Sequence, residues 1–400
     1  MPVQPAPLLP GESSRPRVDT YVGLALTSGG TILAELVLTR LFSVSMWFHL
    51  AFVGITVALL GLGAGGVAAQ IVSRRRLYTP DGNAPSVAAV LAAISLAAGL
   101  VVHLVLPFKG TAAAADVGTL CFHLSLFALG FACVGFSMAL VLTGHPHRIG
   151  GLYGTDLVGA ATGGLAFFPM LWMLDGPAAL LAAAGLWALG GACYGGSGRA
   201  RLVAVSVALL MGFGIIAQST YSPLKLRYQR GFKLLDENIV WEGWDPLGYV
   251  SVSRDIIAPW GWGLSSTYPG GPASEHYFLE IDRTAVSQIS GVPRNPAEVS
   301  VFTHDITQLV YLARQGGRAF VVGVGGGRDL RAARLMGASH VTGVEINGTI
   351  LYLIEHLFRE FNGRLTSSPW VTIVHDEARS WLRRSDQRFD TVQISLVDTC

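Results

Sequence analysis

The chain has 400 residues, 51% of them hydrophobic and only 14% charged, against about 25% charged in an average soluble protein. A wholly water-soluble globule is excluded. Acidic and basic residues number 17 in residues 1–217 and 37 in residues 218–400, with net charges of +3 and −1, so neither half has the basic excess that binding to a phosphate backbone demands, and nucleic acid is not an expected partner.

In chain order, residues 1–18 read as an N-terminal tail and 19–217 as a transmembrane bundle of about seven helices. The apolar stretches are Tyr21–Leu41, Val44–Val72, Val87–Leu106, Leu120–Thr143, Tyr153–Met173, Ala178–Tyr194 and Leu202–Ala217. Most are long enough to cross about 30 Å of hydrocarbon as helices. The first is too long, and carries Glu35 and Arg40, to be a cleavable signal peptide. Gly61–Gly66 and Gly159–Gly164 supply small faces on which membrane helices approach closely, so a compact bundle in a lipid bilayer is expected.

The acids Glu35 and Asp156 lie at membrane depth, where an ionised group is costly unless paired or facing a cavity. Both are candidates for pairing within the bundle or for binding a ligand or ion. His49, His103 and His123 stand on apolar stretches with no second ligand at helical spacing, and they read as packing residues rather than metal ligands. Cys121, Cys133, Cys193 and Cys400 show no metal-ligand spacing, and three of them lie in apolar runs; they read as buried hydrophobes, and no metal site is expected.

Arg74–Arg76, Arg148, and Arg199 with Arg201, together with Arg15 and Arg17, mark one side of the bundle as cytoplasmic. Seven crossings would then put Lys225, Arg227, Arg230 and Lys233 outside, against the same rule. One segment, either the short Leu202–Ala217 or the interrupted first one, is therefore expected not to cross completely, leaving the second half in the cytoplasm.

Residues 218–294 read as a β-rich linker and N-terminal part of the second half. Gly248–Ser253 and Tyr277–Ile281 carry strand formers. The connection between them holds Trp260, Trp262 and Tyr268 among glycines and prolines, as local packing or as an aromatic lid. Asn295–Ala313 is predicted to be one helix, with Pro296 near its start and Val301, Ile306, Leu309, Val310 and Leu312 on its apolar face.

Residues 295–400 carry the informative pattern. Ala319–Val322 is a buried strand that breaks into Gly323, Gly325, Gly326 and Gly327 and then a helix through Met336. Glycines of this kind let a ligand approach the backbone, and a helix start presents free N–H groups. A second strand, Val341–Glu345, ends in an acid where α/β nucleotide folds grip ribose hydroxyls. Helix Ile350–Phe361, strand Val371–His375, the acids Asp376 and Glu377, helix Ala378–Arg384 and strand Thr391–Val397 complete a βαβαβαβ run, which implies a Rossmann-like parallel sheet. A dinucleotide G-x-G-x-x-G fingerprint fails at Arg328 in one register and Leu330 in the other, so NAD is disfavoured.

The spacing of Gly323, Gly325 and Gly327, with Glu345 and Asp376-Glu377 at the next two strand ends, resembles the nucleoside site of class I S-adenosylmethionine-dependent enzymes. The second half resembles spermidine synthases through Leu279–Asp282, His304-Asp305, Gly325–Asp329, Asp376–Leu382 and Phe389–Asp398. The whole chain resembles bacterial membrane proteins in which a multi-spanning transporter-like domain is fused to a spermidine synthase-like domain, through Ser28–Gly30, Glu35–Leu41, Leu60–Gly63, Gly151–Ala160, Ser222–Lys225 and Pro246–Gly248.

The resemblance implies that Asp329 holds the amino-acid tail of S-adenosylmethionine or its decarboxylated form, Glu345 the ribose, and Asp376 or Glu377 the adenine amino group, with His304 and Asp305 in the substrate region or supporting it. It implies an aminopropyltransferase acting on a small amine. The rivals are a methyltransferase acting on a lipophilic acceptor and a polyamine or nucleoside transporter or sensor with a non-catalytic soluble domain. An oligomer is compatible with each. The family's Asp-Ser-Ser-Asp-Pro motif, whose first aspartate is the base, appears here as Ser395-Leu-Val-Asp398. A serine at neutral pH does not replace a carboxylate base unaided, so Asp398 is the candidate to take over, beside Ser395. A sheet of this class usually has seven strands, so a chain that stops after the fourth is expected to be a truncated part of a longer protein. A reporter fused after residue 220 is expected to read out on the cytoplasmic side; a periplasmic readout would overturn that sidedness.

Overall fold

The computed structural model describes residues 16–46, 50–74, 82–106, 114–229, 232–233, 238–254, 261–264, 268, 270 and 275–395. His49, Trp260, Asp398, Cys400 and the basic residues Arg15, Arg75, Arg76 and Arg230 lie outside the described residues. The chain divides into two compact units, Met1–Leu234 and Leu235–Cys400.

Among the described residues the first unit has seven long helices: α1 (Val18–Ser45), α2 (Ala51–Arg74), α3 (Ala84–Val105), α4 (Ala114–Gly144), α5 (Ile149–Met173), α6 (Gly176–Tyr194) and α7 (Gly198–Tyr221). All seven are long and apolar enough to cross a membrane. Helix length does not mark the first or the last segment as too short to cross. α1 is continuous over 28 residues and α7 over 24, and at about 1.5 Å per residue even α7 reaches about 36 Å. Ser197 caps α7 five residues before the apolar run begins, its side chain accepting a hydrogen bond from the Ala200 amide, which is why the hydropathy pattern underestimates the helix.

Helix α1 packs against α5 and α6, α2 against α4, and α3 against α4 and α6. The small residues sit where the pattern places them. A Cβ on Gly163 would come within 2.0 Å of the Gly29 carbonyl oxygen, and one on Gly65 within 2.1 Å of the Ala132 carbonyl oxygen, so α1/α5 and α2/α4 touch backbone to backbone. This close approach replaces the hydrophobic drive that lipid removes. Cys133 and Cys193 are half-buried, while Cys121 is exposed, which corrects its reading as a buried residue.

The second unit follows a short ladder of β1 (Tyr228–Gln229) and β2 (Phe232–Lys233). It opens with an antiparallel sheet in the order β3-β4-β5-β6, formed by Ile239–Asp245, Gly248–Ser253, His276–Ile281 and Ala285–Ser290. A parallel sheet follows, made of β7 (Arg318–Val322), β8 (His340–Glu345), β9 (Val371–His375) and β10 (Thr391–Ile394) in the order β10-β7-β8-β9. Between these strands lie α10 (Arg328–Leu335), α11 (Gly348–Tyr352), which continues as a π-helical turn over Leu353–Leu357, and α12 (Ala378–Arg384). The parallel βαβ reading of the sequence holds. The two sheets share one core, in which Val250, Val252, Leu279 and Ile289 pack with Val321, Val341 and Ile350.

The segment predicted as a single helix over Asn295–Ala313 is instead two short helices, α8 (Ser300–Thr303) and α9 (Leu309–Ala313), with a 3-10 turn before each. Asp305 is extended and caps the second turn by accepting the Thr307 N–H at 2.8 Å. The expected apolar face does not exist as one surface: Val301 is buried, whereas Ile306, Leu309 and Leu312 are exposed. Gly163→Leu is expected to separate α1 from α5 and to destabilise the bundle by about 1–3 kcal/mol, the usual penalty of overpacking. Unfolding in mixed detergent micelles, compared with the same change at Gly150, whose Cβ position meets nothing, measures it.

Candidate active site at the edge of the parallel sheet

In the order β10-β7-β8-β9 the chain steps outward from β7 through β8 to β9 and then returns to the other side of β7 for β10. The carboxyl ends of β7 and β10 thus border a topological switch point, where open α/β sheets form their ligand crevice. All four strands are parallel. The glycine loop after β7, Glu345 at the end of β8, Asp376 after β9 and Ser395 after β10 therefore lie along one edge.

The glycine loop is held from two sides. The Gly325 N–H donates to Glu345 Oε2 at 3.0 Å and the Gly326 N–H to Ser287 Oγ at 2.9 Å. A Cβ on Gly326 would fall 2.4 Å from the Gln288 backbone, and Gly325 and Gly327 have φ of +51° and +85°. The expectation that these glycines leave the backbone open to a ligand is thus corrected at Gly325 and Gly326. Their amides are spent inside the fold, and Gly326 is small because β6 crosses there. Helix α10 starts at Gly327 without a side-chain cap.

Glu345 is buried. Its Oε1 accepts the Asn347 N–H at 2.9 Å, so each of its oxygens takes one backbone donor and retains a lone pair for a hydroxyl. Asn347 Oδ1 caps α11, while its buried Nδ2 has no partner. The adjacent acids Asp376 and Glu377 are separated by the fold. Glu377 caps α12, its two oxygens each accepting a 2.8 Å bond from the Arg379 and Ser380 amides. Hydrogen bonds from Ser380 and Arg379 hold its carboxyl below the usual range. Asp376 accepts the Glu377 N–H at 2.8 Å and pairs with Arg384.

Around the switch point lies a buried polar network. Asp305 and Arg328 form an ion pair with both side chains out of solvent. Asp305 also accepts the Trp262 N–H at 2.8 Å and the Thr307 hydroxyl at 2.7 Å. Burial pushes its carboxyl up, but the Arg328 guanidinium and the Thr307 hydrogen bonds outweigh burial and hold it below the usual range. Asp329, the next residue after Arg328, goes the other way. Burial and the nearby Asp305 charge raise its carboxyl, against Arg328 and hydrogen bonds from Ser395 and Gln308.

Gln308 Nε2 reaches Asp329 Oδ1 at 3.3 Å, and Gln308 Oε1 is buried without a partner. Gln393 Nε2 donates to Ser395 Oγ at 2.8 Å, and the Tyr311 hydroxyl to Gln393 Oε1 at 2.6 Å. Sequence reasoning missed Gln308, Tyr311 and Gln393. Their only signal was polarity at the ends of apolar segments. His304 lies apart from this network. It is exposed, its Nδ1 donating to the Ser300 carbonyl at 2.9 Å and its ring against Tyr268. Tyr268 packs on the Val299, Val301 and Phe302 cluster, which assigns it to local packing.

No family model matches the sequence, and no curated protein matches it. Several solved structures are similar to it, two of them spermidine synthases. One is spermidine synthase in complex with the transition-state analogue AdoDATO, the other spermidine synthase from Thermotoga maritima; both have a TM-score of 0.27 and 13% identity. The similarity covers 40% and 41% of this chain and 48% of each of those chains, so the chain spans about half their length. The four-stranded parallel sheet is compatible with a methyltransferase-like fold.

Breaking the buried pair is expected to be severe. Asp305→Asn leaves the Arg328 charge without its carboxylate and is expected to cost about 3–5 kcal/mol. Asp329→Asn is expected to be neutral or stabilising near neutral pH. A carboxyl whose folded pKa is raised contributes stability below its unfolded value and loses it as pH rises through the folded one. Hydrogen exchange of β7 and α10 in the full chain at pH 7 measures both effects.

Proposed function

We propose that the second unit is an S-adenosyl-nucleoside-dependent transferase whose site lies along the carboxyl edge of the parallel sheet. The observation that carries this reading is the run of acids at successive strand ends, with Asp329 half-buried beside Ser395 at the switch point. Glu345 keeps lone pairs for a ribose diol. Of the two adjacent acids, Asp376 is assigned to the adenine amino group, because both Glu377 oxygens hold the first turn of α12. Gln308 Oε1 and Asn347 Nδ2 are buried polar atoms still lacking partners, which favours a polar ligand on this edge.

The reaction we assign is aminopropyl transfer. Decarboxylated S-adenosylmethionine supplies a carbon activated by its sulfonium; the acceptor amine forms the new N–C bond, the C–S bond breaks, and methylthioadenosine leaves. The chain's part is to align the amine and to take its proton. We assign that proton to Asp329, the half-buried carboxylate hydrogen-bonded to Ser395, since a carboxyl raised by desolvation is a stronger base than a fully solvated one. Asp305 acts through Arg328, holding α10 and with it Asp329. We assign this unit to the cytoplasmic side of the membrane, which requires an even number of crossings among the seven helices.

A second reading, a polyamine transporter or sensor, is favoured by Asp156. Its buried Oδ1 has no partner, while Ser28 bonds the Asp156 backbone oxygen rather than its carboxylate. Polyamine uptake into vesicles, lost in Asp156→Asn with nucleoside binding intact, would support it.

Purified full-length protein given decarboxylated S-adenosylmethionine and a diamine is expected to release methylthioadenosine. Release of S-adenosylhomocysteine from S-adenosylmethionine would replace this reading with methyl transfer, and binding of neither cofactor by calorimetry would remove both. Because the base must be ionised, kcat/KM is expected to rise with pH through a pKa above the ordinary aspartate range. Asp329→Asn is expected to lower it by about 10²–10⁴-fold and to abolish that limb.

A further inference from the structure

The two bundle histidines that stand alone in sequence are neighbours in space. His103, near the end of α3, and His123, on α4, have ring centroids 5.3 Å apart, with the Phe42 and Phe127 rings 5.2 and 6.3 Å from His103. Both histidines are more than nine-tenths buried. The reading of each as an isolated packing residue is corrected, because the second imidazole comes from another helix rather than from one turn along the same one.

The hydrogen bonds fix one tautomer. Ser45 Oγ donates its proton to the Leu41 carbonyl at 2.6 Å and lies 2.7 Å from His103 Nε2. Its proton being used, the hydroxyl accepts from His103, so Nε2 carries the hydrogen and Nδ1 is a bare lone pair. That Nδ1 is buried and has no partner, and neither ring nitrogen of His123 has one. Three unpaired polar atoms in an apolar interior are expensive. No hydrogen bond joins the rings, so a shared proton does not account for them.

We propose that His103 and His123 form a binding site for one soft monovalent metal cation, of which copper(I) is the type. Metal–imidazole bonds are about 2.0 Å long, so two rings on one ion have centroids at most about 6.4 Å apart when collinear and closer when bent. The observed spacing lies within that reach. The second side-chain torsion of His123, which sets where its lone pair is aimed, is broad in histidine. The Ser45 hydroxyl already orients His103 as an outer-shell partner orients a metal-bound imidazole. Two neutral nitrogen donors provide no charge to offset a divalent ion among aromatic rings, whereas a single positive charge is far less costly to bury.

The test uses the full chain in detergent, with Cys121, Cys133, Cys193 and Cys400 changed to alanine so that thiols do not compete. Anaerobic copper(I) is titrated against the chelator bicinchoninate. One ion per chain is expected, with nitrogen neighbours in its X-ray absorption spectrum. His103→Phe and His123→Phe are expected to abolish that binding. Ser45→Ala, which keeps both ligands and the packing, is expected to weaken it by about 10–100-fold. Equal copper binding in the folded His103→Phe variant, an ion with no imidazole neighbours, or no uptake by the cysteine-free parent with its helical circular dichroism intact would each overturn the proposal.

Discussion

The buried Asp305–Arg328 ion pair is the constraint on which the acidic edge of the parallel sheet depends. Taking both charges out of water costs several kcal/mol per ion before their attraction repays it, and the remaining bonding capacity of the carboxylate is filled. The Trp262 amide and the Thr307 amide and hydroxyl satisfy the carboxylate, and the Arg328 guanidinium lies over the Phe302 ring at 5.5 Å. Three segments distant in sequence meet there: the connection after β4, the turn between α8 and α9, and the first turn of α10. Asp329 follows Arg328 directly, so pinning one residue aims the other.

The two neighbouring aspartates are consequently driven apart in chemistry. Asp305 has the cation in contact and stays ionised; Asp329 has burial and a like charge, and holds its proton more tightly. Environments that push two acids in opposite directions are what a proton-transfer site requires, and the proposed role of Asp329 as base rests on that. The stability lost by burying Asp329 is the kind of strain a functional edge retains.

In the bundle the corresponding constraint is contact without side chains. Gly29 against Gly163 and Gly65 against Ala132 bring helix backbones together, and within that tight frame a few polar groups are trapped. Asp156, His103 and His123 share one trait: buried side-chain polar atoms that no hydrogen bond reaches.

Much of this was legible in the sequence. The seven helices, the parallel βαβ run and the acids at its strand ends follow from hydropathy and from period-2 and period-3.6 patterns, which are local properties of the chain. The small faces around Gly65 and Gly163 were legible for the same reason. The pairing of Asp305 with Arg328, 23 residues on, was not. The uses of Glu345, which ties down Gly325, and of Glu377, which caps a helix, were also hidden: a carboxylate in sequence does not say which donors reach it. Nor did the sequence join His103 to His123, since their adjacency is made by α3 packing on α4. Composition and periodicity alone determined which parts are oily, which are strands and where acids interrupt them. Tertiary structure alone decided which polar groups are paired, which are left unsatisfied and how each acid is tuned, because those energies depend on distances between residues that no local pattern encodes.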